Sequence, residues 1–299
     1  MKIIFCCDTL NPDSPDPMYI DEVAAATRQG LDFELVDYQE LVAGNAARAV
    51  RDIATHDTPE TAIYRGWMLT AKQYAGLYDA LYSRGLQLIN TISAYKLCHH
   101  LPDSLHLIAD HTAATVWTQG TQDLSDNALM MLLQPFGEKA VVLKDYVKSQ
   151  KHYWDEACYI PDASDIDGVQ ARVRRFLQLQ DNDIVGGLVF REFIDYEPLG
   201  NHPQSGMPMI QEYRIVYYQQ QPIAIMRYWD VDGYDDALEP SLEQFNTLAK
   251  TIESDFFTLD VAKCAGQDSW MIIEPGDGQV AGLPDNADKD AFYQALAKK

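Results

Sequence analysis

The chain has 299 residues, with 23 Lys and Arg against 45 Asp and Glu, for a formal net charge of −22 at pH 7. That length supports one large or two to three small domains with buried cores. Such a charge repels nucleic acid and anionic membrane surfaces and speaks against general binding to either. No apolar run reaches the roughly 18 residues of a membrane span. The five cysteines, with Cys6 and Cys7 adjacent, are odd in number and form no secreted disulfide framework. The opening "MKIIFCCDTLNPDSPD" fits a first core strand better than a secretion signal. A cytoplasmic location with reduced core thiols is the expectation.

In chain order, "KIIFCCD", "DFELVDY", "TAIYRGWM" and "LQLIN" predict short buried strands. Helical spacing in "DEVAAATRQG" and "KQYAGLYDALYSRG" places helices between them, an α/β layer over residues 1–110. "SAYKLCHHL" reads as a helix stopped by Pro102, after which a new unit begins. Residues 111–190 form a small α+β unit, with helix "DNALMMLLQPF", strands "KAVVLKDY" and "HYWDEACYI", and helix "DGVQARVRRFLQL". Residues 191–299 continue from "GGLVFREFIDY" into strands "IQEYRIVYY" and "QPIAIMRYW", helix "SLEQFNTLAKTI", two more strands in "FFTLDVAKCAGQDSWMIIEPGDGQ", and a last helix "DKDAFYQALAKK". The acidic turn "DVDGYDDALEP" is the nearest thing to a linker.

Familiar nucleotide and metal motifs are absent. No Gly-rich loop ends in Lys-Ser or Lys-Thr, and "GDGQVAG" has the wrong glycine spacing for a dinucleotide fingerprint. "DVDGYDD" puts Gly233 at the fourth position of a would-be calcium loop rather than the sixth. Cys98, His99, His100, His106 and His111 lack paired metal-ligand spacing and read as helical packing and surface residues. No serine elbow or Cys/His pair declares a nucleophile.

The strands nevertheless carry charge where core residues are expected. Lys144 ends "AVVLK", Arg191 and Glu192 interrupt "GLVFREFI", Arg214 sits in "EYRIVYY", Arg227 follows "IAIM", and Asp260, Glu274 and Asp277 mark the last two strands. An unpaired buried charge costs several kcal/mol, so these groups must face each other or a ligand. Solvated strand faces would account for any one of them. A shared polyanion and metal site accounts for the series, because Mg²⁺ binds through carboxylates plus phosphate while Lys and Arg hold the remaining phosphate oxygens.

The succession "VVLKDYVKS", "VFREFIDYE", "EYRIV", "IAIMRYW", "LDVA" and "MIIEPGDGQ" resembles the ATP-grasp superfamily. The stretch from "AIYRGWMLTAKQY" to "KLCHHLPDS" is similar to the front half of a bacterial and phage ATP-grasp family thought to modify peptides or small metabolites. The resemblance spans nearly the whole chain. It implies an α/β and α+β ATP-grasp fold in three units: an N-terminal pre-ATP-grasp unit over 1–110, a lid over 111–190 and a C-terminal unit over 191–299. ATP and Mg²⁺ would lie between the last two. The implied activity is an ATP-dependent carboxylate–amine ligase, or carboxylate–nucleophile ligase, working through an acyl phosphate on a peptide or small metabolite. A kinase or phosphotransferase, or a non-catalytic ATP-binding protein, would use the same nucleotide site.

By the same resemblance, Lys144 would contact ATP phosphate, Glu192 with Phe193 and Ile194 after it would line the adenine hinge, and Glu197 would reach the ribose. Arg214 and Arg227 would face the γ-phosphate and the acyl phosphate, and Asp260 and Glu274 would bind Mg²⁺. Many relatives have Asn two residues after that Glu, where this chain has Gly276. Either Asp277 replaces the missing ligand or one metal is weak. Arg65, in "YRGW", would hold a substrate carboxylate bidentately, or else form a structural ion pair. The aromatic residues, Tyr228 and Trp229 among them, point to contact with an organic surface.

Overall fold

A computed structural model describes residues 1–235 and 238–298, apart from the side chain of Asn182. The N-terminal unit contains β1 (Lys2–Cys6), α1 (Ile20–Arg28), β2 (Asp32–Val36), α2 (Tyr38–Val42), α3 (Ala46–Ala49), β3 (Glu60–Arg65), α4 (Ala71–Tyr82) and β4 (Leu86–Leu88). Its four strands pair in parallel in the order β2-β1-β3-β4. A parallel sheet is covered on both faces, which is why β1 and β3 read as unbroken apolar runs. Tyr74, Leu77 and Leu81 of α4 pack on one face with Ile4 and Tyr64. Ala25 and Ala26 of α1 pack on the other with Ile3, Phe5 and Ile63.

Two helices follow, α5 (Ile92–His99) and α6 (Leu101–Ile108). Pro102 does not stop the first helix. The break is at His100, which is extended, and Pro102 lies in the first turn of α6, where its missing N–H goes unneeded.

The middle unit comprises β5 (Thr115–Trp117), α7 (Asp126–Leu133), β6 (Val141–Asp145), β7 (Tyr159–Ile160), α8 (Ile166–Gln180) and β8 (Leu188–Glu192), with antiparallel strand order β5-β8-β6-β7. α7 and α8 supply Leu129, Leu133, Val169, Val173 and Phe176 to its core. The strand expected in "HYWDEACYI" is mostly helical: residues 151–158 wind through a 3₁₀ and a π turn, and only Tyr159–Ile160 pairs with β6. The turn buries Ala157 and Cys158 and stacks Trp154 on Tyr159, so local aromatic packing overrides the strand signal.

Next comes a hairpin that the sequence did not predict, β9 (Pro198–Asn201) with β10 (Pro208–Ile210). The last unit has β11 (Glu212–Tyr218), β12 (Gln221–Arg227), α9 (Leu242–Ala249), β13 (Phe256–Lys263), β14 (Trp270–Asp277) and α10 (Lys289–Ala297). Its antiparallel order is β12-β11-β13-β14. Asp236 and Ala237, in the acidic turn singled out above, lie outside the described residues.

One face of this sheet buries Tyr213, Ile215, Tyr217, Phe257, Leu259, Val261 and Ile272 against α5, α6 and α9. The opposite face carries Glu212, Arg214, Asp260 and Glu274. Near the end of β11, Val216 and Tyr218 turn to that same opposite face and pack on α10, which also contacts Phe5 and Ile63 of the first sheet. The first and last units therefore share a core. Among the described residues no helix is long and apolar enough to cross a membrane, and all five cysteines are buried and unpaired.

Candidate active site

Three adjacent strands align the charged residues by register alone. Arg214 on β11 stands opposite Asp260 on β13, which stands opposite Glu274 on β14, so the three side chains form one row across the sheet. Arg214 holds Asp260 bidentately, Nε to Oδ1 at 2.8 Å and Nη2 to Oδ2 at 2.7 Å. Lys144, from β6 of the middle unit, reaches over and donates to Glu274 Oε2 at 2.5 Å.

Burial raises the Asp260 carboxyl above the ordinary range, with Arg214 pulling against it. Burial also pushes Glu274 up, but Lys144, helped by Arg191 and Arg214, pulls harder and holds it below that range. Each carboxylate is thus paired with a cation, Asp260 with Arg214 and Glu274 with Lys144.

A cavity of about 850 Å³ opens above this row. Arg214, Asp260, Glu274 and Gly276 are on its wall, with Lys148 and Lys151 from the middle unit and Tyr228 and Trp229 after β12. The Tyr228 ring lies 5.0 Å from the Arg214 guanidinium carbon. His99, also on the wall, is pushed down to about 3 by burial and is therefore neutral near pH 7.

Glu192, Phe193, Ile194 and Glu197 are elsewhere, along the segment that crosses from β8 to the last sheet. Glu192 accepts from Lys139 Nζ at 2.8 Å, and the Phe193 ring packs 5.1 Å from that of Tyr159. Ile194 is half-buried. Glu197 is tied by its backbone to Lys263 and Gln211. These residues span the two units as a hinge would, but none borders the cavity.

Three expected residues are not brought to the row. Asp277 pairs with Phe257, on the face opposite Asp260. Its carboxylate is fully buried and accepts from Asn90 Nδ2 at 2.6 Å and from the Gln279 backbone N–H at 3.0 Å. Among the described residues no three acidic, histidine or cysteine side chains converge as cation ligands, so Asp277 does not complete a triad with Asp260 and Glu274.

Arg227 pairs with Tyr213, on the face away from Arg214, and its guanidinium carbon lies 5.2 Å from the Tyr234 ring centre. Arg65 is 1% exposed. It holds Glu22 through Nε at 3.0 Å and Nη2 at 3.2 Å, and donates through Nη1 to the carbonyls of Gly278 and Ala281. A guanidinium so occupied is a structural clamp between the first and last units rather than a receptor for a substrate carboxylate.

The reading by sequence left out two buried charges. Glu212 is 6% exposed, two residues before Arg214 on the same face, and burial followed by Asp260 raises its carboxyl well above the ordinary range. Arg191 was noted as strand-borne but given no role. It joins the middle unit to β14, donating to Ile273 O at 2.5 Å and to Thr112 Oγ1 at 2.7 Å. The signal for both was the same as for Arg214, a charge within an apolar run.

The donor set suits a hard dication with phosphate: two carboxylates side by side on neighbouring strands, flanked by an ammonium and a guanidinium. Residues 135–296, more than half of the chain, match the family model described as ATP-grasp domain, R2K clade family 3. The fold is similar to that of a RimK domain ATP-grasp protein from Sphaerobacter thermophilus, at 14% identity and a TM-score of 0.60, over 100% of this chain and 98% of that one. It is also similar to the ATP-grasp ligase PsnB complexed with a phosphomimetic variant of its minimal precursor, Mg and ADP (13% identity, TM-score 0.57, 100% and 98% covered). A third likeness is to D-alanine–D-alanine ligase from Bacillus anthracis complexed with ATP (12% identity, TM-score 0.58, 99% and 94% covered). At these identities the likeness is one of fold. A comparison with curated protein sequences gives no match.

Proposed function

The chain belongs to the ATP-grasp domain family, R2K clade family 3, and from that premise we propose that it is an ATP-dependent ligase that activates a carboxylate as an acyl phosphate and joins it to an amine. The observation that carries the reading is the row Arg214–Asp260–Glu274 with Lys144 laid across it, on the wall of the large cavity. The three sheets support a division into units 1–110, 111–190 and 191–299, with nucleotide between the last two and the first closing the substrate side.

Bringing a carboxylate to a triphosphate sets like charges together, at about 4 kcal/mol per charge pair at 4 Å and an effective dielectric near 20. Arg214 and Lys144 would offset that repulsion by holding phosphate oxygens. Asp260 and Glu274 are the residues that would hold Mg²⁺. Bound there, Mg²⁺ would neutralise charge on the transferring phosphoryl group. Positioning and charge stabilisation then suffice, and no protein nucleophile is required.

Peptide and small-molecule substrates are both compatible with a cavity of this size. That PsnB has been solved complexed with a precursor peptide makes a peptide the first class to try. The test is incubation of the protein with Mg·ATP and pools of peptides or small carboxylic acids and amines, followed by mass spectrometry for products lighter by one water. Asp260→Asn serves as the inactive control. ADP release that needs both acid and amine is expected, whereas stable phosphorylation of a hydroxyl would replace this reading with a kinase.

A further inference from the structure

A second pocket, of about 300 Å³, opens in the first unit at the carboxyl ends of its strands. On its wall Cys7 and Asp8 follow β1, Asp37 and Tyr38 follow β2, and Trp67 follows β3. The chain leaves β1 for β2 on one side and later takes up β3 on the other, so the strand order reverses at this point. Open α/β sheets take their ligands at such a place. Three carboxylates line the pocket, Asp8, Asp16 and Asp37, and none is in an ion pair among the described residues. Asp8 and Asp37 each keep one oxygen, Oδ2, that accepts no hydrogen bond there. Their field is felt on the same wall: burial raises the Cys7 thiol, and Asp37, Asp8 and Asp16 raise it further.

The rim of the pocket is apolar. Leu10 (93%), Met18 (69%), Met68 (46%) and Trp67 (39%) are all exposed, and apolar residues gathered in this way mark an interaction surface. Trp67 is held in place, because its indole N–H donates to Asp16 Oδ2 at 2.9 Å and the Tyr19 ring meets it edge-on at 5.8 Å. A fixed aromatic beside a charged pocket is the kind of residue that anchors a partner. Its neighbour Met68 borders the large cavity, so one step of chain joins the two.

We propose that this pocket docks the peptide substrate by a Lys or Arg side chain, held among Asp8, Asp16 and Asp37 while flanking apolar side chains of the peptide lie on Trp67 and Met68. Charge complementarity selects the occupant. Three carboxylates without a cation repel an acidic partner and, in a chain of net charge −22, attract a basic one. The pocket is at the small end of ligand sites, so it takes one side chain while the rim takes what flanks it. The proposal rests on the peptide-ligase reading above and adds where the peptide is gripped and what it must contain.

The test is fluorescence anisotropy of the full chain, without nucleotide, with dye-labelled, C-terminally amidated peptides Leu-Lys-Phe, Leu-Arg-Phe, Leu-norleucine-Phe and Leu-Glu-Phe. The Lys and Arg peptides should bind. The norleucine peptide keeps the apolar stem without the charge and should bind about tenfold more weakly. Asp8→Asn with Asp37→Asn should remove most of that preference. Asn keeps the shape and, at 37, the cap of α2, so the melting midpoint should hold. Trp67→Ala should weaken all four peptides, and Asp37→Lys should turn the preference toward the Glu peptide. Equal affinity for the Lys and norleucine peptides, or an unchanged preference in the double Asn variant, overturns the assignment. Competition by N-acetyl-lysine amide as strong as by the Lys peptide overturns peptide docking in favour of a small-amine site. Thermal melts with Mg·ATP on the same samples separate the two readings. A shifted melt with no Lys preference removes the docking site alone, and a Lys preference with an unmoved melt removes the ligase reading alone.

Discussion

Asp277 should make the stability of this protein fall as pH rises, the reverse of the usual acidic side chain. Its carboxyl is fully buried at the seam between the first and last units. Burial raises it from an ordinary 3.8 to about 7, against the pull of its hydrogen bonds from Asn90 and Gln279. Between those two values the folded state holds a proton that the unfolded state has released, so each pH unit of rise costs about 1.36 kcal/mol. The slope halves at pH 7, so from pH 5 to pH 7 this amounts to about 2.3 kcal/mol, and above pH 7 the loss levels off. Asp277→Asn removes the titration. It also sets an amide N–H₂ against the Asn90 amide, a penalty of about 1–3 kcal/mol that does not depend on pH. Urea unfolding of both proteins without nucleotide at pH 5, 6, 7 and 8 isolates the group, since other carboxyls cancel in the difference. Wild type should lead at pH 5 and lose about 2–3 kcal/mol of that lead by pH 8. A difference that stays flat across this range would refute the reasoning, because it would mean that Asp277 is ionised throughout.

Mg·ATP at 100 times its dissociation constant should add about 2.7 kcal/mol to the native state; thermal melts with Mg·ATP, Mg·GTP and neither measure it, and an unmoved midpoint would count against a nucleotide site. Arg65→Met should destabilise the fold by about 3–5 kcal/mol, since it strands the buried Glu22 carboxylate. A normal urea midpoint with a raised KM for the acid substrate would instead return Arg65 to substrate binding. Arg214→Ala should reduce ATP turnover far more than Arg227→Ala, because only Arg214 is in the row with Asp260. Equal losses in steady-state ADP release would contradict that separation.

Most strands were legible because buried β-structure leaves apolar runs, and the charged row of the candidate site was legible because Lys144, Arg214, Asp260 and Glu274 break those runs with charge. What escaped was long-range pairing and register. Nothing local marks Glu22 as the partner of Arg65, 43 residues away, or Thr258 as the neighbour of Gly276 until β13 and β14 are aligned. Asp277 could have been set aside by parity, since it is three residues from Glu274 and the side chains of a strand alternate.

Arg227 could not, and the reason is a single residue. β11 and β12 are joined by a tight turn at Gln219 and Gln220, both with positive φ, as such two-residue turns require. Tyr218 there pairs with Gln221 and Tyr217 with Pro222. Continued without interruption, that register would set Arg227 opposite Glu212 and on the face of Arg214, as the resemblance implied. Instead Val216 pairs with Ala224, leaving Ile223 as an extra residue, and beyond this bulge every side chain of β12 changes face. Met226 comes opposite Arg214, and Arg227 turns away to Tyr213 and Tyr234. Deleting Ile223 should therefore carry the guanidinium of Arg227 to the charged face, so the bulge, rather than the choice of residue at 227, decides how many arginines the site holds.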